Sequence, residues 1–218
     1  MKKLILVSII VLSTFGILAG QSVGGGISFF LPETLYIDGD GTIGFEQGFS
    51  TSIGLGSLLS IPIGFTYHSS DGYRLQDTGL ETITGPALYG DLIMPYVQLK
   101  LRIPIGPVYL EGWGGGALGW AFSLKPTGNF ANLFGSEIAV GTATIEKKLG
   151  YGWMAGGAIG VQIDAIGIDL GATYRSMILP IGGSVSYSGS SSGTHTFTDQ
   201  AKAILRGISF RIGGSFAF

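Results

Sequence analysis

Residues 208–218, ISFRIGGSFAF, carry an apolar side chain at nearly every second position: Ile208, Phe210, Ile212, Phe216 and Phe218. Successive side chains of a β-strand leave opposite faces, so this spacing writes one apolar face and one face that carries Arg211 and small residues. The same period recurs upstream. Val23, Gly25, Ile27, Phe29 and Leu31 share a parity, as do Ile43, Phe45, Phe49, Ile53 and Leu55, and then Ile61, Ile63, Phe65 and Tyr67. Val97, Leu99, Leu101 and Ile103 alternate with Gln98, Lys100 and Arg102. Val108, Leu110, Leu118, Trp120 and Phe122 are in phase beside Glu111 and a run of glycines. Tyr151, Trp153, Ile159, Val161 and Ile163 follow, and Ile168, Leu170, Ala172 and Tyr174 oppose Asp169, Gly171, Thr173 and Arg175. With the closing stretch, the chain reads as eight strands.

What covers eight apolar faces is decided by the opposite faces. Those carry Gly, Ser, Thr and single charges, and only 12% of the chain is charged, about half of the ~25% usual in soluble proteins. That is too little charge for a solvated exterior, as a soluble secreted β-barrel or sandwich binding protein needs, and it suits a crowded polar lumen. Long connections at 32–42, 68–88, 123–150 and 176–203 alternate with short turns at 56–60, 103–107 and 164–167. A transmembrane β-barrel has short turns on one side and longer loops on the other. Strands must close into a barrel there, because hydrocarbon offers no partner to an open edge. The expectation is an all-β, eight-stranded antiparallel transmembrane β-barrel over residues 21–218. The connection 123–150 is the longest, and reads either as containing a helical turn around residues 129–134 or as strands protruding beyond the core.

The first twenty residues stand apart. Lys2 and Lys3 precede an apolar run over 4–18 and then Leu18-Ala19-Gly20-Gln21, the pattern of a cleaved signal peptide at 1–20. The chain has no cysteine, so no disulfide framework and no lipidated cysteine is expected. Without Lys2 and Lys3, 10 of the 12 basic residues remain against 14 acidic ones, with no basic stripe, so nucleic-acid binding has no electrostatic support.

A signal peptide, eight alternating strands and a terminal Phe together resemble the small bacterial outer-membrane β-barrels of the OmpA, OmpX and OmpW types. The resemblance implies a location in the bacterial cell outer membrane, outer-membrane lipids as surroundings, and a last strand read as an address by the barrel-assembly machinery. Phe210, Ile212, Gly214, Phe216 and Phe218 match that address. OmpW-type barrels imply in addition an apolar cavity and passage of small hydrophobic molecules. The expected role is structural or at the surface, without enzymatic activity or cofactor, in a monomer.

With the apolar parity outward, Glu46, Lys100, Arg102, Glu111, Asp169, Arg175 and Arg211 point into the lumen with Gln162. An eight-stranded barrel is just wide enough for side chains to fill, and charges there must pair. Inward Gly44, Gly48, Gly54, Gly171 and Gly213 either leave room for a cavity or let a small barrel bend and close. His68 and Ser70 lie two apart and project to one face. Their spacing resembles the H-x-S of outer-membrane lipid A deacylases, with a His base beside a Ser nucleophile, but the sequence offers no third group to orient the histidine. Gly114–Gly119, GGGALG, fits G-x-G-x-x-G but lacks the strand–helix context a nucleotide site needs. His68 and His195, the only histidines in a chain without cysteine, do not make a credible zinc site. Aromatics near the strand ends, among them Tyr67, Tyr89, Trp120, Tyr151, Trp153 and Tyr174, read as interfacial girdles.

Overall fold

The structure, a computed structural model, describes residues 22–80, 85–134, 138–189 and 192–217; residues 1–20, where a signal peptide is expected, and Phe218 lie outside them. Ten strands are present among the described residues: β1 (Ser22–Pro32), β2 (Gly44–Gly54), β3 (Leu59–Gln76), β4 (Leu88–Ile105), β5 (Val108–Pro126), β6 (Ile138–Lys147), β7 (Gly150–Ile163), β8 (Ile166–Gly189), β9 (Gly193–Thr196) and β10 (Lys202–Ala217). A six-residue helix α1 (Glu33–Asp38) follows β1, and a 3-10 turn (Gly128–Phe134) follows β5.

Eight strands close a ring in the order β1, β2, β3, β4, β5, β7, β8, β10, each antiparallel to its neighbours, with β10 returning to β1. The closing register runs from Ser22 opposite Ala217 to Pro32 opposite Gly207. Every central strand edge is thus paired, which is what makes the wall compatible with hydrocarbon. Tight turns after β2, β4 and β7, with Gly56, Gly106 and Asp164 at positive φ, lie at the same end as Ser22 and Ala217. We call this the lower end.

The outer wall is a belt of bare apolar side chains. Phe29 is 58% exposed, Leu170 58% and Ile163 64%, with Ile63, Val97, Leu99, Leu110, Ile159, Phe210 and Ile212 all exposed beside them. Water tolerates no patch of this extent on a monomer. The belt rules out the soluble alternative and identifies the wall as a lipid-facing surface.

Three connections are more ordered than their sequence pattern suggests. Residues 68–76 continue β3 instead of opening a loop. A bulge between Ser70 and Tyr73 shifts the register, so Ser70, Tyr73 and Leu75 all turn inward and the period-two pattern breaks without the strand ending. Likewise β8 runs on to Gly189, carrying both β9 and β6 on its edges. The stretch 123–150 holds the rest of β5, the 3-10 turn and β6, so both alternatives for it are realised in part.

Because β1 and β2 are short, the ring changes above them. Residues Tyr73 to Gln76 of β3 pair directly with Leu205 to Lys202 of β10. The upper tube is therefore narrower, and side chains fill it.

Candidate functional site

The interior divides into two zones, and the charged residues organise the lower one. At the boundary sits Glu46, on the inward position of β2 next below Gly44. Its carboxylate accepts from Arg175 Nη2 on β8 at 2.8 Å, with Arg175 Nη1 2.5 Å from its other oxygen. It also accepts from Ser209 Oγ on β10 at 2.6 Å and from His68 Nδ1 on β3 at 2.7 Å. A carboxylate can only accept, so the proton of His68 is on Nδ1 and Nε2 faces Ser70 Oγ, which donates to it at 2.9 Å. Arg175 further donates to Ser209 Oγ at 3.0 Å and to Met94 Sδ at 3.5 Å. Four strands, β2, β3, β8 and β10, are tied at one carboxylate, and Glu46, His68 and Ser70 are 1%, 0% and 2% exposed. Phe30 covers the group, its ring edge-on to His68 at 4.7 Å and 5.6 Å from the Arg175 guanidinium.

Glu46, His68 and Ser70 thus stand in the order carboxylate, imidazole, hydroxyl. The orienting group that H-x-S lacks in the sequence is present in space, supplied by another strand. The hydroxyl, however, is enclosed. Gly72 N–H donates to Ser70 Oγ at 3.2 Å, and a side chain at Gly44 would meet Ser70 Cβ at 2.6 Å. The packing closes over the hydroxyl. It holds the barrel together at this level.

Below this hub the walls are polar. Lys100 Nζ donates to Glu111 Oε1 at 3.0 Å, with Arg102 3.8 Å from the same oxygen. Arg102 also donates to Gln162 Oε1 at 2.7 Å and lies 3.5 Å over the Tyr109 ring. Arg211 donates to Asp169 Oδ1 at 2.8 Å and lies 4.5 Å from the Trp113 ring centre. Sequence parity points these charges inward; which carboxylate each cation takes is set by register and is not legible from parity.

The two rings explain several glycines. A Cβ at Gly156 would come within 2.9 Å of Trp113, and one at Gly160 within 2.3 Å of Tyr109. A Cβ at Gly171 would come within 3.3 Å of Trp113, and one at Gly213 within 2.8 Å of the Asp169 carboxylate. On this side inward glycines seat large side chains and leave no void. The remaining space lies on the other side, against β1, β2 and β10. A polar cavity of about 100 Å³ runs there from Glu46 and Arg175 past Ser28, Gly48 and Ser50 to Ser22, Ser52 and Ser215 at the strand ends.

Above the hub the interior is apolar. Leu75, Leu88, Leu92, Met94, Met177, Leu179, Ile181 and Leu205 form one buried cluster, closed at the top by Phe130 and Leu133 of the 3-10 turn. Of the closing-strand residues, Phe210, Ile212, Gly214 and Phe216 stand on the outward face. No group of three or more ligating side chains among the described residues is placed to hold a metal ion.

A closed eight-stranded ring with a bare apolar belt and a charged interior defines the fold of the small outer-membrane β-barrels. Comparison with solved structures bears on the fold alone. The outer membrane protein OprG from Pseudomonas aeruginosa is 14% identical, with 92% of this chain and 96% of that chain covered and a TM-score of 0.57. Neisserial surface protein A is 14% identical over 90% of this chain and 96% of its own, with a TM-score of 0.46. Ail of Yersinia pestis is 14% identical over 92% and 99%, with a TM-score of 0.38. No protein-family model and no curated sequence matches the chain. The chain has the fold of an outer-membrane β-barrel.

Proposed function

We propose that this barrel serves a structural and surface role with a closed lumen. The supporting observation is the interior above Glu46. A continuous apolar cluster, narrowed by the direct β3–β10 pairing and capped by Phe130 and Leu133, leaves the polar cavity below it a blind vestibule. The parts that extend above the lipid belt, β6, β9 and the upper ends of β3, β4, β5 and β8, are then the surfaces that partners meet. The protein works as a monomer delivered by the barrel-assembly machinery, with Phe210, Ile212, Gly214, Phe216 and Phe218 as its address. The test is conductance after reconstitution into planar bilayers. A closed barrel passes no steady ion current, and stable open-channel steps overturn the reading.

A second reading, passage of small hydrophobic molecules, draws on two features. The upper interior is apolar, and the lipid face has an apolar depression between Ile27, Phe29, Leu170, Phe210 and Ile212. Flux of an uncharged apolar dye into vesicles, faster with the barrel than without it, supports this reading. As an enzyme the chain would be a lipid A deacylase acting through Ser70 and His68. The buried hydroxyl argues for the non-enzymatic role, and acyl release from lipid A in the presence of the folded protein, lost in Ser70→Ala, would reverse that judgement.

A further inference from the structure

We propose that Arg206 marks a binding site for the phosphate of an anionic lipid on the upper outer wall, with Trp153 and Tyr174 as its apolar seat. Outward positions of β10 below it, Ile208, Phe210, Ile212 and Phe216, are apolar; above it Ile204 is buried and Lys202 is paired with Asp77 at 2.7 Å. Arg206 therefore stands where the lipid belt gives way to polar groups. The same boundary appears on β3 and β4, where Tyr67 Oη donates to Asp91 Oδ1 at 2.9 Å.

Arg206 lies in one register row with Ser176 of β8, which is in turn opposite Trp153 of β7. Its Nε donates to Ser176 Oγ at 3.2 Å. Among the described residues no carboxylate comes within 4.0 Å of it, whereas Arg102, Arg175 and Arg211 each have one within that distance. The bond at Nε fixes the plane of the guanidinium and leaves the two terminal nitrogens side by side. That fork matches two oxygens of a phosphate. Two strand spacings away, about 10 Å, the rings of Trp153 and Tyr174 lie 5.4 Å apart and cover the wall beneath. An unpaired cation at the headgroup level, with an aromatic platform beside it, fits a lipid that carries negative phosphate above and hydrocarbon below.

The proposal rests on the membrane-spanning reading, and its test separates the two. With Trp113→Phe and Trp120→Phe in place, Trp153 is the single tryptophan and reports on lipids beside Arg206. The folded protein is reconstituted in vesicles of phosphatidylcholine with a fixed fraction of brominated phosphatidylglycerol or brominated phosphatidylcholine. The anionic lipid is expected to quench Trp153 with an apparent affinity about fivefold higher, the size of one cation's contribution at a charged membrane surface. Arg206→Gln is expected to abolish the preference, and Arg206→Lys to retain part of it. Equal quenching by both lipids in the parent protein overturns the site and leaves the barrel intact, whereas no quenching by either overturns both. Two further results overturn the proposal. One is loss of the preference in Lys125→Gln, an exposed cation on β5, which makes it a diffuse surface potential. The other is its loss on adding millimolar inorganic phosphate at constant ionic strength, which makes the ligand free phosphate.

Discussion

Above Glu46 the barrel is filled like the core of a soluble protein; below it eight strands enclose paired charges and a cavity. The difference lies in how the inward parity is used. On β8 the inward residues read Asp169, Gly171, Thr173 and Arg175 and then Met177, Leu179 and Ile181, with the change falling at the level of the hub. On β4, read downward, Leu88, Leu92 and Met94 give way to Gln98 and Lys100. The upper zone is stable because apolar surface is removed from any polar solvent. The lower zone is stable because register brings each cation to a carboxylate. The two mechanisms respond to substitution differently, and the hub, where dry packing surrounds charge, combines the costs of both.

The hub is therefore where the largest effect is expected. Glu46→Ala leaves Arg175, 4% exposed at its side chain, with Ser209 as its remaining polar oxygen partner, and strips His68 of its acceptor. Breaking one partner out of a buried pair costs about 3–5 kcal/mol. Urea unfolding in lipid vesicles should show that loss as a lowered midpoint. Adding Arg175→Met to Glu46→Ala should recover part of it, because the uncompensated charge is then gone. If the double variant is no more stable than the single one, the hub is held by packing alone and the division between zones is less sharp than drawn here.

Second in size is a deletion in the upper zone. Leu205 is fully buried where β10 pairs with β3, opposite Tyr73. Leu205→Ala should cost about 2–5 kcal/mol by the same measurement. A loss below ~1 kcal/mol would mean that the upper interior is loosely filled, which would strengthen the case for an apolar passage through it.

Much of this was legible in advance. The ring, the antiparallel order and the outward face follow from parity, since Ile208, Phe210 and Ile212 have nowhere to go but lipid once their opposite neighbours are polar. The two zones were not legible. Where the interior is apolar, both parities are apolar, as in Leu92, Ile93 and Met94, and alternation vanishes. Where β3 bulges at Ser70 to Tyr73, the parity flips and the strand resembles a loop. The hub escaped for another reason. Glu46 and His68 are 22 residues apart and Arg175 is 129 from Glu46, so only the closed ring brings them together. The vestibule follows from the glycine pattern only in part. Inward glycines do make space, but Trp113 and Tyr109 occupy it on one side, and Gly48 keeps it open on the other.

That asymmetry gives the third prediction. Gly156 lies under Trp113, and a Cβ there would also approach Ala172 O at 2.3 Å. Gly48 borders the cavity, where the nearest atom to an added Cβ is Thr66 Oγ1 at 3.4 Å. Gly156→Ala should cost about 1–3 kcal/mol through overpacking, and Gly48→Ala should be close to neutral. Equal costs at the two sites would mean that the cavity collapses around any added atom, and that the vestibule has no fixed shape.

The smallest effect is expected at the lower charges. Lys100 is 20% exposed at its side chain and faces the cavity, and its partner Glu111 keeps Arg102 at 3.8 Å when Lys100 is neutralised. Lys100→Gln should therefore cost under about 1 kcal/mol, the range of a solvated ion pair. Salt should separate the two levels as well, since mobile ions screen exposed pairs far more than buried ones. Raising ionic strength should shrink the Lys100→Gln loss toward zero and leave the Glu46→Ala loss nearly unchanged. A Lys100→Gln loss as large and as salt-insensitive as that at Glu46 would show the vestibule to be dry, and the lower zone would then be a second packed core lined with charge.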